Sequence, residues 1–169
     1  MAPEPTGEIR TDALRMLSNG VYVLTTCMED TLHVASVTWV TQVSFQPPLV
    51  LVALQKNSRL VHAVRRAHRY ALNILEAGQQ AIAADFFEHL TVPVDSPTLG
   101  AFSYRAGASR CPLLMDAAAW LECRYAAEPE APGDHSLVLG EVVGAGVRRQ
   151  AAPLVLGNTP WSYGGVRTQ

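Results

Sequence analysis

Lys56, Asn57, Ser58 and Arg59 set two cations, an amide and a hydroxyl in four consecutive positions. They follow the apolar run LVLVAL and open RLVHAVRRAH, whose apolar residues recur at helical spacing. Asn57 or Ser58 can cap that helix, because each side-chain oxygen can accept from an otherwise unpaired amide of the first turn. Free first-turn amides and the helix dipole attract anions, so the same four residues form a candidate anion seat. An ordinary cap flanked by surface cations has the same composition. A second group lies upstream in SVTWVTQVS, where strand alternation puts Ser36, Thr38, Val40, Gln42 and Ser44 on one face and Val37, Trp39, Thr41, Val43 and Phe45 on the other. The first face is polar yet uncharged. It suits either solvent or hydrogen bonding to a flat heteroaromatic ligand.

A third group is GDHSLVLGEVVG, where His135 opens a strand with Asp134 beside it. Asp134 can close the turn or orient the imidazole. Gly140 within that strand marks a bulge or a close approach of another chain. Other constellations fail on spacing. There is no G-x-S-x-G, His62 and His68 do not share a helical face, and the Gly144 to Gly146 segment lacks the third glycine and following helix of a dinucleotide fingerprint.

The elements that must position these groups follow from periodicity and turn chemistry. VYVLTTC, MEDT and LHVASVTWVTQVS read as strand, reversal and strand. Pro47 and Pro48 cannot donate ladder bonds, so they fit a corner that leads into LVLVAL as a buried strand. RLVHAVRRAH reads as a helix and RYALNIL as a strand. GQQAIAADFFEHL reads as a second helix, with Ile82, Ala83, Phe86, Phe87 and Leu90 on one face. Residues 91–112 read as a long loop, AAWLECRYAAE and HSLVLGEVVGAGV as strands, and Trp161 and Tyr163 of NTPWSYGG as packing residues or as a tail that covers a partner subunit's ligand. Helices do not alternate with every strand, which excludes a doubly wound sheet and leaves a mainly β chain, an antiparallel barrel with helices packed outside.

A chain of 169 residues is most simply one domain, and at this length roughly 68–70% of the unfolded surface is buried. The expected division is a disordered lead over residues 1–12 and a single domain over 13–169. With 49% hydrophobic and 17% charged residues the composition leaves room for a buried interface, so a homodimer is expected. A formal charge of −2 with 13 scattered basic residues offers no footprint for nucleic acid or an anionic membrane. Cys27, Cys111 and Cys123 form no metal or redox spacing and read as buried thiols of a reducing compartment; with no leader-like or spanning segment, the expected location is cytoplasmic.

The spaced combination of SVTWVTQVSFQPPLVLVALQKNSRL, YALNILEAGQQAIAADFF, GAFSYRAGASRCPLL, AWLECRY and GDHSLVLGEV resembles the flavin reductase-like proteins with an FMN-binding split β-barrel, over roughly residues 14 to 147. That resemblance implies a homodimer binding FMN, or in some members FAD, near the subunit interface, with NADH or NADPH as reductant and reduced flavin passed to a flavin-dependent oxygenase or other acceptor. It implies that Thr38, Trp39, Val40 and Thr41 line the isoalloxazine and ribityl chain, that Ser44 and Phe45 lie close to them, and that Lys56, Asn57, Ser58 and Arg59 hold the phosphate. His135 matches the family histidine near the nicotinamide. The chain departs from the family at His33-Val34-Ala35, where Gly-Met is common, and at Gln46, where an acid is common. A flavoprotein that keeps its FMN for electron exchange or its own organic substrate, and a flavin-binding module without turnover, would share the same seat.

Overall fold

The computed structural model describes residues 11–161. After a short helix α1 (Thr11–Arg15), β1 (Tyr22–Met28) and β2 (Thr31–Val37) form a hairpin turned at Glu29 and Asp30. Strands β3 (Val40–Phe45) and β4 (Pro48–Gln55) form a second hairpin around Gln46 and Pro47. Helix α2 (Arg59–Ala67), β5 (Arg69–Ile74) and α3 (Gln80–Asp85) follow. Then come β6 (Leu90–Pro93), β7 (Thr98–Leu99), β8 (Phe102–Ala106), β9 (Pro112–Leu114), β10 (Ala119–Ala127) and the 13-residue β11 (His135–Val147).

Eight strands make one antiparallel sheet in the order β3-β4-β11-β10-β5-β1-β2-β6, and β7-β8-β9 make a small second sheet. The connection from β2 to β3 shows how the large sheet curls. These strands stand six places apart in the order, which in a flat sheet would be roughly 29 Å at ~4.8 Å per strand. Yet only Thr38 and Trp39 join them, a span of at most about 11 Å. The sheet therefore rolls until its ends approach, giving a barrel split between β2 and β3.

Two apolar clusters fill the two faces. Leu24, Val37, Val52, Leu72 and Val138 pack with Leu60, Val61 and Val64 of α2. Val23, Leu32, Val34 and Leu75 pack with Ile82, Ala83 and Phe86 around α3, joined by Trp161. The alternating parity along β1 and β2 sends successive residues to opposite clusters, so both faces of these strands are dry. All three cysteines are free and buried; burial pushes the Cys123 thiol up to about 12 and the Cys111 thiol upward, leaving both as unreactive packing groups.

The structure corrects three sequence readings. The segment 35–44 is not one strand, because the chain leaves β2 at Val37 to cross the split, so Ser36 and Gln42 belong to opposite ends of the sheet. The second helix stops at Asp85; Leu90 opens β6, whose pairing with β2 outweighs the helical periodicity of Phe86, Phe87 and Leu90. Residues 91–112, read as loop, contain β7 and β8 and the remainder of β6, strands too short to show a period. Gly140 sits at the expected bulge, beside a register shift in the β10–β11 ladder, and what approaches it is the chain's own packing: a Cβ there would collide with Tyr70 Oη and lie 3.0 Å from Cys123 Cβ. No helix among the described residues is long and apolar enough to cross a membrane. Of the lead expected to be disordered over residues 1–12, Thr11 and Asp12 belong instead to α1, while residues 1–10 and Tyr163 lie outside the described residues.

Candidate active site at the split

The split leaves a cleft of about 600 Å³, lined by residues 35–39, 53–55, 57–60, Phe87, His89 and His135. Five elements meet there. The end of β2 and the Thr38–Trp39 link form one side, and Ala53 N donates to Trp39 O at 3.0 Å, fixing the link to β4. The start of β11 runs beside the end of β4, with His135 paired to Gln55 and Lys56 N donating to Asp134 O at 3.0 Å. The opposite wall comes from the chain after α3. Ser36 N donates to Phe86 O at 2.8 Å and Ser36 Oγ to Ala83 O at 2.7 Å, which docks this segment on β2 and brings Phe87 and His89 to the cleft.

One end of the cleft is the start of α2. Ser58, in extended backbone geometry, caps it: its Oγ accepts from Val61 N at 3.2 Å. A hydroxyl that accepts in this way keeps its own proton for a further acceptor. Arg59 has no ion-pair partner among the described residues, unlike the later arginines of the same helix. Arg65 forms a fork with Glu128, and Arg66 pairs with Glu29 at 3.1 Å. The Arg65 guanidinium, with help from Ser136 and Tyr125, holds the Glu128 carboxyl down at about 2 and so ties α2 to the loop before β11. The α2 start thus presents first-turn amides, a hydroxyl and an uncommitted guanidinium, a set suited to an anion.

The other feature is aromatic. The Trp39 and His135 rings have centroids 4.6 Å apart, tilted by 46°. His135 Nδ1 lies 2.6 Å from Asp134 Oδ1, and the carboxylate can only accept, so Nδ1 carries the proton and Nε2 is left for a ligand. The same contact holds the Asp134 carboxyl below its ordinary range.

Of the residues singled out from the sequence, Thr38, Trp39, Asn57, Ser58, Arg59 and His135 line this cleft. Val40 and Thr41 lie instead on a separate, largely apolar groove of about 300 Å³ with Tyr22, Leu49, Leu121 and Val142. Ser44 and Phe45 sit near the tip of the β3–β4 hairpin, Phe45 with 90% of its surface exposed. Lys56 turns away from the α2 start: its Nζ donates to Ala131 O at 2.6 Å and steadies the loop that carries Asp134. Sequence reasoning missed Phe87 and His89, which carried no signal beyond a presumed helix face; only the docking of α3 on β2 brings them here.

A split antiparallel barrel with an anion-attracting helix start and an aromatic pair along one cleft defines a nucleotide-cofactor-binding class of protein. Residues 14–162 match the flavin reductase like domain, and the chain belongs to that family. It is 38% identical over 135 residues to an NADH-dependent FMN reductase of Streptomyces nodosus subsp. asukaensis, covering 77% of this chain and 69% of that protein. The structure of an NADH:FAD oxidoreductase of Streptomyces globisporus C-1027, in complex with NAD and FAD fragments, superposes with a TM-score of 0.76 at 27% identity, over 93% of this chain and 94% of that one. That of BorF, the flavin reductase component of a bacterial two-component tryptophan halogenase, gives 0.75 at 25% identity, over 95% and 100%. The chain spans 31% of the length of a Rhizobium meliloti (strain 1021) relative that is 38% identical over 102 residues, 60% of this chain.

Proposed function

We propose that the protein is an NADH-dependent flavin reductase that takes FMN into the cleft at the split, phosphate toward Ser58 and Arg59, and supplies reduced flavin to a partner oxygenase or halogenase. The observation that carries this reading is the pairing, along one cleft, of an uncommitted guanidinium and helix start with the Trp39–His135 aromatic pair. The donor set fits the group: Ser58 keeps a hydroxyl proton to donate, and Arg59 supplies a charge that no described residue neutralises. When bound, flavin supplies a two-electron acceptor and reduced nicotinamide the two-electron donor.

The chain's own contribution is placement. Trp39 and the β4 backbone hold one wall, and Asp134 fixes His135 so that Nε2 is the nitrogen offered to the ligands. Lys56 braces the loop on which Asp134 stands. NADH is favoured over NADPH because the two Streptomyces relatives described above carry NADH in their names. The deciding experiment adds NADH or NADPH to the FMN-loaded protein without oxygen and follows the visible flavin band. Bleaching supports the reductase reading, and persistence of the colour with both nucleotides overturns it in favour of a flavoprotein acting through another donor.

A homodimer belongs to the same proposal. Val43 and Phe45 of β3 and Val143 and Val147 of β11 are large apolar side chains left exposed, and β3 is an open sheet edge. A second copy would cover both. The three buried free thiols suit a reducing, cytoplasmic setting.

A further inference from the structure

We propose, building on the phosphate seat above, that His89 is a further phosphate ligand of the cleft, and that His33 acts as a positioning residue that locks it in its donating tautomer. His33, on β2, is only 6% exposed, and its Nδ1 lies 3.1 Å from His89 Nε2. The two rings are tilted by 44° with centroids 5.1 Å apart. The other nitrogen of His33, Nε2, is buried and has no partner among the described residues. A buried N–H without an acceptor is rare and costly, so Nε2 carries the bare lone pair and Nδ1 the proton. His33 therefore donates to His89 Nε2. His89 must carry its own proton on Nδ1, the nitrogen not engaged by His33, on a ring that lines the cleft together with Ser58 and Arg59.

The same orphan nitrogen keeps the pair neutral. If His89 held two protons, His33 would have to accept at Nδ1 and carry its own proton on Nε2; if His33 held two, Nε2 would again be protonated. Either charged form buries an unpaired donor. The surrounding charges agree: burial, His33 and Arg59 push His89 down to about 4, while burial, Arg59 and His62 of α2 lower His33. His33 shares its face of β2 with Ala35 and Val37, which pack with Leu60 and Val61 of α2, so the pair stands on the side of the sheet that carries the α2 start. A neutral N–H there adds a donor to the phosphate without setting a second cation against Arg59. It also keeps donating throughout the pH range where a free imidazole would titrate.

Long-range proton–nitrogen spectra of the histidine-labelled full chain test the tautomer directly. His89 is expected to be neutral with its proton on Nδ1 from about pH 5.5 to 8, where an unperturbed ring would change charge. A proton on Nε2, or a charged ring at pH 7, overturns the proposal. Affinity supplies the functional arm. His89→Ala should weaken FMN about tenfold while leaving riboflavin within about twofold, as loss of one hydrogen bond to a charged acceptor would. His89→Asn, whose amide can place an N–H near the Nδ1 position, should recover most of that loss. His33→Phe should let His89 titrate, so that FMN binding tightens with falling pH through a histidine-like step absent from the wild type; the phosphate's own titration is common to both proteins.

Equal weakening of FMN and riboflavin in His89→Ala assigns His89 to the sugar chain or to packing and overturns the role. The double variant Ser58→Ala/Arg59→Ala separates the two layers of the argument. If it loses phosphate preference and His89→Ala does not, the seat stands and His89 is excluded. If neither loses it, the seat fails and takes the role of His89 with it. Should His33→Phe fail to fold, the spectra and the His89 variants decide the question without it.

Discussion

Ser58→Asp separates the two tasks given to one side chain, capping a helix and receiving a phosphate. As a cap, an aspartate ranks with serine: its oxygen can accept from Val61 N where Ser58 Oγ now accepts at 3.2 Å. Its charge beside the helix start adds about 0.3–1 kcal/mol of favourable interaction. The melting temperature should therefore hold or rise, whereas Ser58→Ala, which removes the cap, costs about 1 kcal/mol and lowers it by about 2–4 °C for a chain of this size. For the ligand the sign reverses. A carboxylate in place of the hydroxyl removes a donor and sets a negative charge against the phosphate. At a separation of ~5 Å and an effective dielectric of ~20–80 the repulsion is about 1–3 kcal/mol per phosphate charge. That corresponds to roughly fivefold to 150-fold weaker FMN binding, with riboflavin unchanged within about twofold. Flavin fluorescence titrations at fixed ionic strength and thermal melts of both variants measure the two effects. FMN and riboflavin weakened equally, or FMN binding left intact in a protein with an unchanged melt, would refute the assignment of Ser58 to the phosphate.

His135→Ala is expected to keep near-normal FMN affinity and to slow anaerobic reduction by NADH about tenfold or more, or at least ~1.4 kcal/mol on the barrier; equal rates for variant and wild type would return His135 to a turn role. Glu128 sits at about 2 when folded, held there first by Arg65, so its contribution to stability is present above its ordinary value near 4.5 and is lost as pH falls toward 2. With Arg65 partly exposed the contribution is discounted to about 1–2 kcal/mol, and Glu128→Gln should remove that acid-side loss from urea melts at pH 2.5–5; an unchanged pH profile would count against the pair. Phe45→Glu should convert the proposed dimer to a monomer in light scattering at micromolar concentration; a dimer in the variant, or a wild-type monomer, would exclude β3 as the interface.

Local signals were legible where a residue's immediate neighbours decide its state. The Ser58 cap, the α2 helix, the β1–β2 reversal and the strand character of β4, β5, β10 and β11 all follow from turn chemistry, capping and short apolar periods. The helical reading of 78–90 overran because Phe86, Phe87 and Leu90 keep a helical spacing that carries no information about a competing strand partner. β2 supplied that partner, through its pairing with Leu90, Thr91, Val92 and Pro93. The same limit applied to the segment 35–44. Alternation alone cannot register that the chain crosses a split at Thr38 and Trp39, because a strand's period is set by its own backbone and its partners are not.

By itself the sequence determined the chemistry available: a capped, cation-bearing helix start, a histidine with an adjacent carboxylate, and a family signature spread along most of the chain. Tertiary structure decided which of these groups meet. Lys56 and Arg59, equivalent cations three residues apart, part company because one Nζ finds the Ala131 carbonyl while the other charge finds no partner among the described residues. Val40 and Thr41, next to Trp39 in sequence, fall on a different groove, whereas His89, fifty residues from Trp39, shares its cleft. Long-range hydrogen bonds and packing make these assignments, and the number of residues between two groups does not specify them.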